Sequence, residues 1–344
     1  AQPAGHPATR PAPPAGGAAR PNPMIDLHRA GQPVFGLYAP SNPRPRPPGA
    51  GGAGGTGVAV ATRPAADAPA AAPPAMRTPA ELARAALAYE PADFIFDGGM
   101  EHDFDRGYPA FRAFVDGVVA AGGGAHAAHG APGAGRRRPL VVKTPPVHDD
   151  PALARTRIAR QLDLGVTTIV FPDVESAEEL RTGLAAMRYA AQGGTRPAGV
   201  GIAPAVWGVS EASYRERADV WPLAPGGELT AWAIVESREG LRRVREIAAV
   251  KGIAALFPGA GTLRGVFTTV DSATGARTVD TAAWEGAIQQ VLAACKEFDV
   301  PCGYPANDPQ TVEQRMRQGF RVFIAGWGEP GFRAVEYGRG AAGR

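Results

Sequence analysis

Glu236 is the side chain of this sequence best suited to bind a metal ion. It directly follows an apolar run at 231–235, and a second apolar run at 253–257 leads into a Gly-rich loop at 258–264. Hard divalent cations such as Mg²⁺ and Mn²⁺ take oxygen ligands and usually need one or two carboxylates. The loop offers no carboxylate, so the sequence predicts half of a metal site.

Eight short apolar runs recur along the chain and have the composition of buried strands. They are 34–38, 93–97, 139–143, 166–171, 231–235, 253–257, 301–304 and 321–325. Helical periodicity fills the gaps between them, at 80–88, 151–164, 176–189, 238–249, 281–298 and 311–318. Strands that alternate with helices predict a parallel sheet, and eight such strands close an α/β (β/α)8 TIM barrel.

In a TIM barrel the chemistry takes place on the loops at the carboxyl ends of the strands. Those ends carry several polar residues in this sequence: Asp97, Glu101, His102, Lys143, Asp173, Glu236, Thr262, Tyr304 and Trp327. We therefore expect these side chains to converge at one mouth of the barrel.

Three low-complexity segments interrupt the pattern: an arm at 1–21, an insertion at 43–78 and a Gly-rich loop at 122–135. The sequence thus predicts one barrel domain over 22–344 that carries a Pro/Gly-rich N-terminal arm and insertion. Pro-rich segments are already extended and lose little entropy when they bind, so we expect them to contact protein partners. His126 and His129 lie in the Gly-rich loop, either as solvated residues or as surface metal ligands.

Composition excludes several classes of protein. The 36 basic residues nearly balance the 33 acidic ones, a net charge of +3 that does not indicate a nucleic-acid-binding protein. No apolar run approaches the roughly 18–20 residues that span a bilayer. The chain begins Ala-Gln, as a mature protein does after signal-peptide removal, so we expect export to the periplasm rather than a cytoplasmic location.

Cys295 and Cys302 allow two interpretations. In an oxidising compartment they would form a disulfide, provided that their Cα atoms lie within about 7 Å. The alternative, which we favour from the sequence, is two separate buried thiols. Their spacing matches no metal-binding motif.

A series of short motifs, in order along the chain, resembles the HpcH/HpaI aldolase family, which includes citrate-lyase-type β subunits. The matches are Ala-Gly-Gln-Pro-Val-Phe-Gly-Leu-Tyr at 30–38, Asp-Gly-Gly-Met-Glu-His at 97–102, Leu-Asp-Leu-Gly at 162–165, Val-Phe-Pro-Asp-Val at 170–174, Arg-Tyr at 188–189, Ile-Val-Glu-Ser at 234–237 and Val-Lys-Gly-Ile at 250–253. The resemblance covers most of the chain outside 1–21 and 43–78. It implies the TIM-barrel fold and an aldolase or lyase that acts on a 2-oxo acid.

The resemblance also implies roles for individual residues. Glu236 matches a metal-binding Glu, and His102 matches a His of the acid/base machinery. Thr262 stands where the family has the second metal carboxylate, an Asp. Lys143 lies near a family Arg; lysine keeps the positive charge but cannot bind a carboxylate through two nitrogens. Outside the resemblance, the interpretation that we favour for Glu236 is a polar residue at a strand end that is bonded to Lys143.

Two functions follow from these residues. Because Thr262 is a poor ligand, we expect a pseudoenzyme without a cofactor, exported as an accessory or scaffold subunit. Its partners would be proteins contacted through 1–21 and 43–78, including a membrane-bound respiratory or photosynthetic assembly. The alternative is a class II aldolase or lyase on a 2-oxo acid such as pyruvate, which would use Mg²⁺ or Mn²⁺ at Glu236 with His102 and Lys143 as catalytic residues.

Overall fold

The computed structural model describes residues 20–42, 76–122 and 138–344. The strands, in chain order, are β1 (Val34–Tyr38), β2 (Phe94–Asp97), β3 (Leu140–Lys143), β4 (Thr168–Phe171), β5 (Val220–Trp221), β6 (Leu229–Val235), β7 (Ile253–Pro258), β8 (Thr268–Val270), β9 (Arg277–Val279), β10 (Gly303–Pro305) and β11 (Val322–Ala325). All eight strands predicted from apolar runs are confirmed. They correspond to β1 to β4, β6, β7, β10 and β11.

These eight strands form a curled parallel sheet in the order β10, β11, β1, β2, β3, β4, β6, β7. A parallel bridge between Leu256 of β7 and Cys302, just before β10, links the two ends of this order. The Leu256 amide donates to the Pro301 carbonyl oxygen at 3.0 Å. The molecule thus has a TIM-barrel-like α/β fold, as the sequence predicts. The short β5 pairs with β6, and β8 and β9 form a separate hairpin.

Helices surround the sheet: α1 (Met24–Arg29), α2 (Pro79–Ala88), α3 (Phe104–Ala120), α4 (Pro151–Leu162), α5 (Ala177–Met187), α6 (Ala203–Trp207), α7 (Glu211–Arg217), α8 (Arg238–Arg242), α9 (Val244–Ala248), α10 (Ala260–Val266), α11 (Thr281–Glu297), α12 (Pro309–Gln318) and α13 (Glu329–Ala341). A 3-10 turn spans Ala190–Gln192. Among the described helices, none is long and apolar enough to cross a bilayer.

Local sequence explains where several of these helices begin. Asp103, Asp150, Ser176 and Asp308 each accept a hydrogen bond from the backbone three residues later. Such capping satisfies an amide that has no partner in the first helical turn. The caps fix helix starts immediately after the loops at the barrel mouth, and so they fix the lengths of those loops.

Apolar side chains pack against both faces of the sheet. The inner face carries Phe94, Phe96, Trp232 and Phe257, all nearly or fully buried. The rings of Phe94 and Trp232 pack edge to face with centroids 5.1 Å apart. The inside of the curled sheet is therefore a packed core, and the space for a ligand lies at its end.

The structure corrects three expectations. The helix predicted at 238–249 is interrupted at Arg243, where α8 ends and α9 begins. The loop predicted at 258–264 is mostly helix α10. The two separate thiols are wrong: Cys295, near the end of α11, and Cys302 form a disulfide with their Cα atoms 5.6 Å apart.

Most of the low-complexity sequence lies outside the described residues. This applies to the arm at 1–21 up to residue 19, to the insertion at 43–78 up to residue 75, and to the Gly-rich loop from residue 123, with His126 and His129. The domain boundaries and the partner contacts expected for these segments stay predictions.

Candidate active site

A cavity of about 880 Å³ opens at the carboxyl ends of the strands. Its polar lining comes from separate strand ends and the loops that follow them: Tyr38, Glu101, His102, Lys143, Asp173, Glu236, Ser237, Arg238 and Thr262. The remaining lining is mainly apolar, with Phe257 and Ile324 among it. Six of the nine residues expected at the barrel mouth line this cavity, including His102, Lys143, Glu236 and Thr262. Asp97, Tyr304 and Trp327 are not among its lining residues.

Glu236 lies on the floor of this cavity and is only 8% exposed. Its Oε1 accepts a hydrogen bond from the backbone N–H of Asp173, at 3.1 Å. Asp173 has a φ of +48°, a left-handed conformation in which aspartate is among the better tolerated residues. The turn after β4 thus aims a backbone donor at the carboxylate that β6 delivers.

The side chain of Asp173 lines the same cavity. Burial raises its pKa above the ordinary value, and the negative charges of Glu236 and Glu175 raise it further. Carboxylates that face each other in this way favour a bound proton or a cation between them. Asp173 is therefore the second acidic group on this side of the cavity.

Lys143 and Glu101 form an ion pair that also lines the cavity. The Lys143 Nζ lies 2.9 Å from both carboxylate oxygens of Glu101, and each side chain is 15% exposed. The Lys143 carbonyl oxygen accepts from Gln161 Nε2 at 2.9 Å, which fixes the end of β3 to helix α4. The interpretation that paired Lys143 with Glu236 is wrong, because the turn after β2 places Glu101 against the lysine.

His102 is the most accessible group of the site. Its side chain is 89% exposed, and its Nε2 lies 3.8 Å from Glu101 Oε2. A histidine that is in contact with solvent on one side and with a cavity on the other can carry protons between them. The position is compatible with the acid/base role that the resemblance implies.

Tyr38 also lines the cavity, although no functional role was predicted for it. Burial raises its pKa to about 12, with further contributions from the charges of Glu101, Asp97 and Glu236. The phenol therefore keeps its proton at neutral pH and lies within electrostatic reach of both sides of the cavity. The only signal in the sequence was its place as the last residue of the first strand.

The donor atoms in the cavity do not reproduce the metal site that the resemblance implies. Thr262, in α10, offers a neutral hydroxyl where an aspartate is expected. One oxygen of Glu236 already accepts the Asp173 amide. Within the residues that the structure describes, no three His, Cys, Asp or Glu side chains are grouped closely enough to share a metal ion. The ligand set thus does not fit a tightly held divalent cation.

Comparison with known proteins identifies relatives of this chain. A family model described as HpcH/HpaI aldolase/citrate lyase matches residues 121–329. A 2-dehydro-3,6-dideoxy-6-sulfogluconate aldolase of Pseudomonas putida is 28% identical over 175 residues, which are 50% of this chain and 60% of the relative. A hydroxypyruvate/pyruvate aldolase of Paraburkholderia phytofirmans is 29% identical over 183 residues, which are 52% of this chain and 65% of the relative.

The fold also matches solved structures. An HpcH/HpaI aldolase/citrate lyase family protein from Burkholderia cenocepacia superposes with a TM-score of 0.59 at 21% identity, over 89% of this chain and 92% of the other. At that identity the match concerns the fold. In sequence, the chain spans about three fifths of the length of the curated relatives named above.

These matches overturn the function that we favoured from the sequence. A non-catalytic accessory or scaffold subunit is wrong as the main interpretation, because the matched relatives are aldolases by name. The error came from treating the missing carboxylate as the loss of all chemistry. The expected lack of a metal cofactor stays a prediction.

Proposed function

The chain belongs to the HpcH/HpaI aldolase/citrate lyase family, and on that premise we propose that it is an aldolase or lyase. The reaction makes or breaks a carbon–carbon bond beside the carbonyl group of a 2-oxo acid such as pyruvate or hydroxypyruvate. The observation that carries the proposal is the cavity at the strand ends, which gathers an acidic pair, an ion-paired lysine and an accessible histidine. The names of the two aldolases that match this chain support the substrate class.

The charges in the cavity suit an anionic substrate at one position. Arg238 lines the cavity, and its guanidinium donates to the Val266 carbonyl oxygen at 3.1 Å and lies over the Phe267 ring at 4.9 Å. These contacts hold a fixed cation with donors left over. Arginine binds planar carboxylates well because its donors form a rigid fork. Arg238 is therefore the proposed anchor for the substrate carboxylate.

The proton that leaves or joins the substrate carbon needs a carrier. His102 reaches solvent and the cavity, so it fits the role of exchanging protons with water. Glu236, which accepts the Asp173 amide and lines the cavity, is the proposed acidic group beside the carbon skeleton of the substrate.

Mg²⁺ or Mn²⁺ is the cofactor that the family resemblance implies. When bound, such an ion polarises the carbonyl oxygen of the substrate. Because the donor set of this cavity does not fit the ion, no step is assigned to it. The carbonyl group must then be activated by a side chain of the protein.

We further propose that the eight strands form a complete (β/α)8 barrel, which the Leu256–Cys302 bridge supports. Export to the periplasm is likewise proposed, and the Cys295–Cys302 disulfide supports it because such bonds persist in oxidising compartments. Separating periplasmic from cytoplasmic fractions of the native cells tests the location. Finding the chain only in the cytoplasmic fraction would contradict export.

An assay for aldol addition tests the activity. The purified full chain is incubated with pyruvate or hydroxypyruvate and a panel of aldehydes, and new 2-oxo acid products are detected by mass spectrometry. We expect product from the native chain and a strong loss for Glu236→Gln, which keeps the shape of the side chain and removes its charge. No product above buffer with any aldehyde, with or without added Mn²⁺, would contradict the proposal.

A further inference from the structure

Lysine is rare in this chain. It occurs three times in 344 residues, at Lys143, Lys251 and Lys296, whereas the other 33 basic residues are arginines. Lys251 lies in the turn before β7, and Lys296 lies in the last turn of α11. Of the three lysines, Lys143 alone lines the cavity at the carboxyl ends of the strands.

The ion pair with Glu101 does not by itself explain a lysine at this position. An arginine binds a carboxylate through two parallel hydrogen bonds and holds it more firmly than an ammonium does. In a chain that uses arginine for almost every other cation, arginine would serve that purpose. What arginine cannot do is lose a proton at ordinary pH and become a nucleophilic amine.

The surroundings of Lys143 suit a nucleophile. Its Nζ is within 2.9 Å of both Glu101 oxygens, so a proton acceptor is in direct contact with the amine. The side chain is mostly buried but opens into the cavity. The side chains of Lys143 and Tyr38 both approach Gly98, each with an atom 3.9 Å from a Cβ built there. A phenol that retains its proton thus lies on the same side of the cavity.

We propose that Lys143 forms an imine with the carbonyl carbon of the 2-oxo acid. The inference rests on the proposed function, because it concerns the same substrate in the same cavity. The carboxylates of this cavity provide no adequate site for a metal ion that would activate the carbonyl group. The inference assigns that activation to the amine of Lys143. A protonated imine withdraws electrons from the neighbouring carbon as a metal-bound carbonyl does.

Glu101 takes a proton from the Lys143 ammonium, the neutral Nζ adds to C2 of the substrate, and Glu101 gives the proton to the former carbonyl oxygen. The resulting hydroxyl group takes a second proton from the Nζ and leaves as water. The C–N double bond that remains is the protonated imine. Loss of a proton from C3, or cleavage of the C3–C4 bond, leaves its electron pair on an enamine. Addition of water after the carbon–carbon step releases the product and restores the amine.

Reductive trapping tests the proposal. The full chain is incubated with pyruvate and sodium cyanoborohydride, which adds hydride to the imine carbon and leaves a 1-carboxyethyl group on the amine. Peptide mass spectrometry then reads the modification of each lysine. We expect Lys143 to be modified about tenfold or more over Lys251 and Lys296, because the substrate is held against it.

Controls separate this inference from chance labelling. Lactate, which has a hydroxyl group in place of the keto group of pyruvate, should give no modification. Lys143→Arg should abolish the modification at position 143, whereas Lys251→Arg should leave the modification of Lys143 unchanged. Equal modification of the three lysines, or none at Lys143, overturns the inference.

The same samples are assayed for aldol addition. If product forms without a Lys143 adduct, the imine is contradicted and the aldolase activity is supported. If an adduct forms without product, the imine is supported and carbon–carbon bond formation is contradicted. Neither adduct nor product contradicts both.

Discussion

Replacing Gly259 with alanine places a methyl group against the Glu236 carboxylate. Gly259 caps helix α10, and its backbone has a φ of −73°, which alanine adopts without strain. A Cβ built there lies 2.7 Å from Glu236 Oε2 and still closer to the Glu236 Cβ. The perturbation therefore displaces the Glu236 carboxylate and, because a Cβ moves only with its backbone, also the strand end that carries Glu236.

The size of the effect follows from the overlap. Non-bonded heavy atoms are separated by about 3.5–4.0 Å at their optimum, so the Glu236 side chain must shift by about 1 Å. A misplacement of about 1 Å at a reacting group costs roughly 10²-fold in rate. Overpacking of this kind also lowers the free energy of unfolding by about 1–3 kcal/mol. We expect Gly259→Ala to fold, with aldol addition reduced about 10²-fold.

The matched control lies in the same helix. A Cβ at Gly265 meets no atom within 4 Å, so Gly265→Ala should keep full activity and gain slightly in stability from the better helix former. Rates of product formation and urea unfolding curves are compared for the native chain and both variants. Native-like activity in a folded Gly259→Ala variant would refute the role of Glu236 in this cavity.

Three further predictions concern stability. Asp93→Asn should lower the free energy of unfolding in urea by about 3 kcal/mol, because Asp93 is buried and pairs with two C-terminal arginines; a loss near zero would contradict this. Asp173→Asn should raise the midpoint temperature of thermal unfolding at neutral pH. Because the pKa of Asp173 is raised in the folded protein, its ionisation lowers the free energy of unfolding as the pH rises through that pKa. Part of this gain should fade in acid, so a pH-independent difference would contradict the argument. Denatured, unreduced protein should show no thiol that reacts with iodoacetamide, whereas two alkylated cysteines would exclude the Cys295–Cys302 bond. Reduction of this bond should lower the free energy of unfolding by roughly 2–3 kcal/mol.

The strands were predictable because each is a short apolar run bounded by polar residues. Their carboxyl ends then fixed which side chains reach the cavity, so Glu236, Lys143 and His102 could be placed together before any coordinates. The partner of Lys143 depended on the three-dimensional course of the loops. Lys143 pairs with Glu101 because the turn after β2 folds over the end of β3, and no spacing in the sequence encodes that contact.

For similar reasons, the disulfide was only the less favoured of two interpretations of the sequence, and Tyr38 was not predicted as a site residue. Cys295 and Cys302 are close because α11 ends directly below the start of β10, a distance that spacing alone does not determine. Tyr38 acquires its raised pKa from burial first, and then from the negative charges of Glu101, Asp97 and Glu236, which are distant in sequence. The functional error had a different origin. We judged the activity by the number of carboxylates available to a metal ion, and we did not consider that an amine could activate the substrate.

The most direct test of the central claim is exchange of the pyruvate methyl protons with deuterium. Proton NMR in D₂O follows the methyl signal during incubation with the full chain, and it requires no knowledge of the aldehyde substrate. The account predicts enzyme-dependent loss of the signal in the native chain after treatment with EDTA, and little loss with Glu236→Gln or Lys143→Arg. A methyl signal that decays no faster than in buffer, with or without Mn²⁺, would contradict the claim that this cavity activates a 2-oxo acid.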